Sequence, residues 1–138
     1  GNNQILVKKE DKILSGHFDN TNLVIDYDIN VNSLTPYPGN NGWLAWTPWE
    51  LWSIQNNGNH ELHTRSSEMI KNISPTASDD TILILFETRL VGFNSRYFTI
   101  HELLKNADIY NIGNNLKKRQ IYFFGKVANT LGIFEMEY

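Results

Sequence analysis

The chain has 138 residues, 41% of them hydrophobic and 20% charged, a net charge of −3 and no cysteine. This is one globular domain's length, enough to bury a core without staples. The weak charge excludes strong attraction to nucleic acid or anionic lipid, and the lack of cysteine excludes disulfides, thiolate chemistry and Cys-ligated zinc.

A single domain over residues 1–138 is the expectation. No apolar run approaches the roughly 20 residues that cross a bilayer. The first residue is Gly rather than Met, as in an excised or processed chain. A secreted or surface setting is the expectation that goes with it, with a cytoplasmic one as the alternative.

Residues 4–9 and 12–18 predict a hairpin. Ile5 and Val7 alternate with polar residues, Glu10 and Asp11 make a tight connection, and Ile13 begins the return. Residues 19–22 are a turn by composition. Residues 23–31 show the cleanest strand pattern: Leu23, Ile25, Tyr27 and Ile29 on one parity, Asp26, Asp28 and Asn30 with Val24 on the other. One face meets a core and one meets water, as in an antiparallel sheet. The spacing Asp26, Asp28, Asn30 matches the start of a calcium loop. The rest of that loop fails, with Val31 where Gly belongs and Tyr37 where a bidentate Glu belongs.

Residues 34–41, with Pro36, Pro38 and Gly39, predict a loop. The next stretch holds every tryptophan of the chain: Trp43, Trp46, Trp49 and Trp52, one in three. Steps of three would spread them around half a helix, and Pro48 would break that helix. Two short strands, 43–47 and 49–55, with a bend or bulge at Pro48, are expected instead. Parity then puts Trp43 with Trp49 and Trp46 with Trp52, unless a bulge resets it. Each indole can cover roughly 200 Å², so this ribbon is the expected filling between two sheets. An indole left outside would form a platform for a flat ligand.

Residues 56–59 predict a hairpin turn, because Asn-Gly readily takes positive φ. Residues 60–66 would return along 49–55. His60 and His63 fall on opposite faces of such a strand, so no shared metal is expected. Residues 74–80 are a turn. Residues 81–86 are apolar on both parities, which predicts a central strand covered on both sides. The chain continues extended over 91–100 with a bulge at Gly92. Thr99 and Glu102 have the capping-box spacing, and Ile100, Leu103, Leu104 and Ala107 follow helical spacing. A short helix near 100–109 is the prediction. Lys117, Lys118 and Arg119 lie in a polar loop over 114–119, a solvated turn with a weak anion-site signal. Residues 120–127 and 131–138 form a hairpin across Ala128, Asn129 and Thr130. Tyr122, Phe124 and Lys126 share one parity and Ile121, Phe123, Gly125 and Val127 the other.

Many short strands with frequent turns predict an all-β, mainly antiparallel fold, β-sandwich or jelly-roll-like, with one short helix. A partly open barrel and an α+β sheet are the alternatives. The sequence contains no nucleophile elbow, phosphate loop or dinucleotide fingerprint, so no cofactor is expected. The function expected first is a non-catalytic binding domain that grips a glycan. Its candidate residues are Trp43, Trp46, Trp49, Trp52, Glu50, Tyr37 and Gln55. The second is a protein-interaction or immunity-type module, since aromatic side chains are enriched in interfaces. The third is a glycosidase-like enzyme, with Glu50 among indoles and a second carboxylate such as Glu87.

Overall fold

The computed structural model describes residues 4–10, 12–31, 33–37, 42–55, 59–78, 80–105 and 107–137. Among them run fourteen strands: β1 (Gln4–Lys9), β2 (Lys12–Asp19), β3 (Asn22–Asn30), β4 (Ser33–Tyr37), β5 (Gly42–Trp46), β6 (Glu50–Gln55), β7 (His60–Arg65), β8 (Asn72–Pro75), β9 (Thr81–Leu85), β10 (Arg89–Asn94), β11 (Thr99–Lys105), β12 (Asp108–Asn115), β13 (Gln120–Val127) and β14 (Thr130–Glu137). They form four small meanders in sequence order: β1–β3, β4–β7, β8–β11 and β12–β14. Every strand pair is antiparallel. The fold is therefore all-β and antiparallel, as the alternation predicts. Its subdivision differs. The strands sort into four sheets of three or four strands rather than the two large sheets of a sandwich.

The helix expected near 100–109 does not form among the described residues. Thr99–Lys105 is β11, paired with β10 from Asn94↔Thr99 to Arg89↔Lys105. A helix of about ten residues is marginal alone in water. The edge of β10 instead offers this segment a ladder of backbone hydrogen bonds, and that tertiary partner overrides the capping signal. The bulge expected at Gly92 falls nearby, as a register shift between Leu90 and Val91.

The predicted loop over 34–41 is strand through Tyr37, and 38–41 lie outside the described residues. Pro36 is accommodated because β4 is an edge strand of its sheet, where a missing N–H breaks no ladder. The Asn-Gly turn at 56–58 also lies outside the described residues. The terminal hairpin forms as predicted, with β13 and β14 joined through Ala128 (φ 49°) and Asn129 (φ 65°). Two consecutive left-handed residues match the strand twist of a two-residue hairpin.

Compact packing divides the chain into two units, Gly1–Arg65 and Ser66–Tyr138. In the first, Ile13 of β2 and Val31 pack with Ala45 and Ile54 of the second sheet, and Leu6, Leu34, Trp43 and Trp52 close over them. Asp28 pairs with Lys12 and Asp26 with His17, each at 3.0 Å. The alternation expected over 23–31 is not kept at the start of the strand: Leu23, Val24 and Ile25 are all exposed, beyond a register shift against β2 between Ser15 and Gly16.

In the second unit β9 is central, hydrogen-bonded to β8 and β10, and Ile82, Leu83, Ile84 and Leu85 are all buried. Leu83, Leu85 and Leu90 of the third sheet pack against Ile109, Ile121 and Phe123 of the fourth. The first strands of these two sheets, β8 and β12, lie side by side. Polar side chains join them: Asn72 Nδ2 donates to Asn111 Oδ1 (2.9 Å), Asn114 Nδ2 to Ser74 Oγ (2.6 Å) and Lys71 Nζ to the Ile109 carbonyl (3.0 Å). The third and fourth meanders thus stack face to face with their leading strands adjacent.

Candidate functional site

The tryptophan segment is a hairpin. Gly42–Trp46 and Glu50–Gln55 pair antiparallel, with Trp43 opposite Ile54 and Trp52 opposite Ala45. Residues 47–49 make the connection. The Thr47 N–H donates to the Glu50 carbonyl (3.0 Å), and the Trp49 N–H to the Thr47 hydroxyl (3.1 Å). Pro48 sits in this connection, so it ends a strand rather than bending a continuous ribbon. That change resets the parity. Trp43 and Trp52 share the face toward the first sheet, and Trp46 lies on the other face, buried at 9% exposure. Trp49 stands in the turn, 50% exposed.

The seven residues singled out in the sequence do not converge. Trp43, Trp46 and Trp52 are packing residues, and Tyr37 is buried. Glu50 and Gln55 occupy opposite ends of β6, about 17 Å apart at the rise of an extended strand. Glu50 Oε2 accepts from Arg65 Nε at 3.4 Å. Glu87 belongs to the second unit. Gln55 lines a concavity of about 350 Å³ with Ser53, Asn59, His60 and Glu61. The Trp52 ring lies 6.0 Å from the His60 ring. His63, further along β7, is held below its ordinary pKa by burial, against the opposing pull of the Glu61 charge.

The fourth sheet carries a second surface that the sequence reading passed over. One face of β12–β14 packs on the third sheet. Its other face exposes Tyr110 (45%), Phe124 (44%), Leu131 (56%) and Ile133 (78%). Phe124 and Ile133 are cross-strand partners, and the Tyr110 and Phe124 rings are 5.5 Å apart. A groove of about 240 Å³ runs here between Gly113, Tyr122, Phe124 and Ile133. Gly113 forms an open floor, with nothing within 4 Å of where a Cβ would stand. At the rim, a hydrogen bond from the Tyr110 hydroxyl to Asp108, with burial and the Asp108 charge, raises the phenol's pKa. The signal was present in the sequence: 120–138 is apolar on both parities, more than one buried face requires.

No metal-holding group of three or more His, Cys, Asp or Glu occurs among the described residues. Nor is any helix there long and apolar enough to cross a membrane.

No family model matches the chain, and no curated protein matches it. Solved structures do. Hsv2 of Kluyveromyces marxianus is alike over 99% of this chain and 44% of its own, with TM-score 0.68 at 14% identity. A chain of the S. cerevisiae assembly of a Dbp5 variant with Nup159, a Gle1 variant, IP6 and ADP is alike over 99% of this chain and 42% of its own (TM-score 0.60, 15% identity). The WD40 domain of Neurospora crassa Pan2 is alike over 99% and 49% (TM-score 0.52, 9% identity). The chain spans less than half the length of these solved structures. At such identities the likeness is one of fold alone: small antiparallel meanders of the kind that a WD40 domain also contains.

Proposed function

We propose that this chain is a non-catalytic protein-interaction module of WD40-like blades, which offers the outer face of its fourth sheet to a protein partner. The observation that carries this reading is the apolar patch of Tyr110, Phe124, Leu131 and Ile133 around an open groove. Single exposed apolar residues are ordinary, whereas a contiguous patch with a polar rim marks an interaction site. Aromatic anchors in a groove are the side chains that dominate interface energetics. One of the solved structures with this fold comes from an assembly of several proteins. A photo-reactive phenylalanine analogue at position 133 tests the reading, with one at Tyr97, an exposed turn aromatic, as control. Protein adducts should be enriched at 133 and lost when Gly113→Trp fills the groove. Equal yields at both positions would refute it.

A second reading places a glycan in the polar concavity of the second sheet, where Gln55, Asn59 and Glu61 stand beside the Trp52–His60 ring pair. In that reading the chain works outside the cell. Affinity electrophoresis through immobilised polysaccharides should then show retardation that Gln55→Ala abolishes.

A further inference from the structure

We infer that the concavity of the second sheet binds a guanidinium group, which Glu61 attracts by charge and Ser53, Gln55 and Asn59 hold by hydrogen bonds. This goes beyond the interaction reading of the fourth sheet, and it sets a cation rather than a neutral sugar in the concavity.

Strand register builds the site. Ser53 pairs with Glu61 and Ile54 with His60. One residue on, the Gln55 N–H donates to the Asn59 carbonyl at 2.7 Å. Side chains alternate across a pleat, so Ser53, Gln55, Asn59 and Glu61 share one face of the β6–β7 ladder. The other face turns Trp52 and Ile54 toward the first sheet. Four such side chains form a block about 5 Å across the strands and about 7 Å along them. Ser53 is its floor, only 4% exposed, and Gln55, Asn59, His60 and Glu61 are its exposed rim.

Three observations select the ligand. The first is charge. Glu61 is the one carboxylate in the lining, and no lysine or arginine lines the concavity among the described residues. Nor does Glu61 make an ion pair with either among them. His63, whose pKa burial lowers, is uncharged at neutral pH. At the other end of the same ladder Glu50 already has its cation, Arg65 Nε at 3.4 Å. The second is the Ser53 hydroxyl, which is buried in the floor without a hydrogen-bond partner among the described residues. Such a group is costly to leave unmatched, and a donor from a ligand relieves it. The third is the spread of acceptors. The Glu61 carboxylate, the Gln55 and Asn59 amide oxygens and the Ser53 hydroxyl stand at separate corners of the block. A guanidinium carries five N–H donors in one rigid plane and no acceptor, whereas an ammonium is a compact point charge. Its flat face also suits the His60 ring, which lines the concavity beside Trp52. A neutral sugar would match the amides and leave the Glu61 charge unanswered.

The test compares three blocked amides on the whole chain: Nα-acetyl-arginine amide, its uncharged citrulline counterpart and the lysine counterpart. The side-chain amide signals of Gln55 and Asn59 in proton–nitrogen correlation spectra report occupancy. The arginine compound should shift both signals saturably, with a dissociation constant of about 1 mM for so exposed a carboxylate. The citrulline and lysine compounds should each bind about fivefold more weakly or worse, and added salt should weaken the arginine compound alone of the first two. Glu61→Gln, at an exposed rim position where folding should persist, should cost about fivefold in arginine affinity. Citrulline or lysine binding as tightly as arginine would overturn the inference. Signals unmoved by arginine well above the millimolar range would overturn it too. If polysaccharide retardation that Gln55→Ala abolishes were then seen, the glycan reading would stand without it. Where arginine binds, an extended Gly-Ser peptide with one arginine separates the sources. Tighter binding than the amide identifies a protein's arginine and equal binding a small guanidino compound, and either upholds the site.

Discussion

Gly125 is where the fourth sheet, and the face it presents, is most sensitive to a single methyl group. A side chain there would collide with the Asp108 carbonyl oxygen and stand 2.7 Å from the Ile109 Cα. These are backbone atoms of the paired strand, so no rotamer change relieves the clash. It falls where β12 already departs from regular register, between Ile109 and Asn111. Gly125→Ala should therefore pry the start of β12 from β13. Ile109, fully buried, would lose most of its burial, about 2 kcal/mol. About two ladder hydrogen bonds would open at about 1 kcal/mol each. The sum, about 4 kcal/mol, is a large part of a domain's stability. With an unfolding entropy of about 2.1 cal/mol/K per residue, the melting temperature should fall by roughly 10–15 °C. Gly113→Ala is the internal control. The same strand pair holds it, but its Cβ meets open space, so replacing strand Gly by Ala should be neutral or stabilising by up to about 1 kcal/mol. Thermal melts followed by circular dichroism compare the two. Indistinguishable melting temperatures would refute the argument that backbone approach dictates Gly125.

The tryptophans should separate by role. Trp52→Ala opens the packing between the first two sheets and should cost about 3 kcal/mol in urea denaturation. Trp49→Ala, in the exposed turn, should stay within about 0.5 kcal/mol of the parent. Equal losses would contradict the hairpin assignment of the four indoles. His63 should make stability pH-dependent. Its folded pKa lies below the ordinary 6.5 because burial disfavours the imidazolium. Below pH 6.5 the unfolded chain then binds more protons than the folded one. The stability His63 contributes is complete above pH 6.5 and declines as pH falls through the folded value. Urea midpoints at pH 7.5 and 5.5 should differ in the parent, and the difference should shrink in His63→Gln.

What the amino-acid order settled alone is the local backbone state. Period-two alternation in 23–31, the two-sided apolar run 81–86 and the turn at Ala128 and Asn129 each identify a strand or hairpin from nearest neighbours. Local chemistry governs them: side chains alternate across a pleat, and positive φ suits certain residues. The same logic failed at 99–109, where the helical spacing of Ile100, Leu103, Leu104 and Ala107 was real but weaker than the ladder offered by β10. It failed again at Pro36, whose tolerance depends on β4 being an edge. Sheet membership came only from the tertiary structure. An alternating strand needs one apolar surface against it, and a sandwich partner or the next blade supplies that surface equally well. Whether an apolar face is covered or left open is likewise a property of neighbours distant in the chain. Trp43 and Trp52, the most conspicuous side chains in the sequence, are therefore packing residues, while Tyr110, Phe124 and Ile133, unremarked within their strands, form the exposed face.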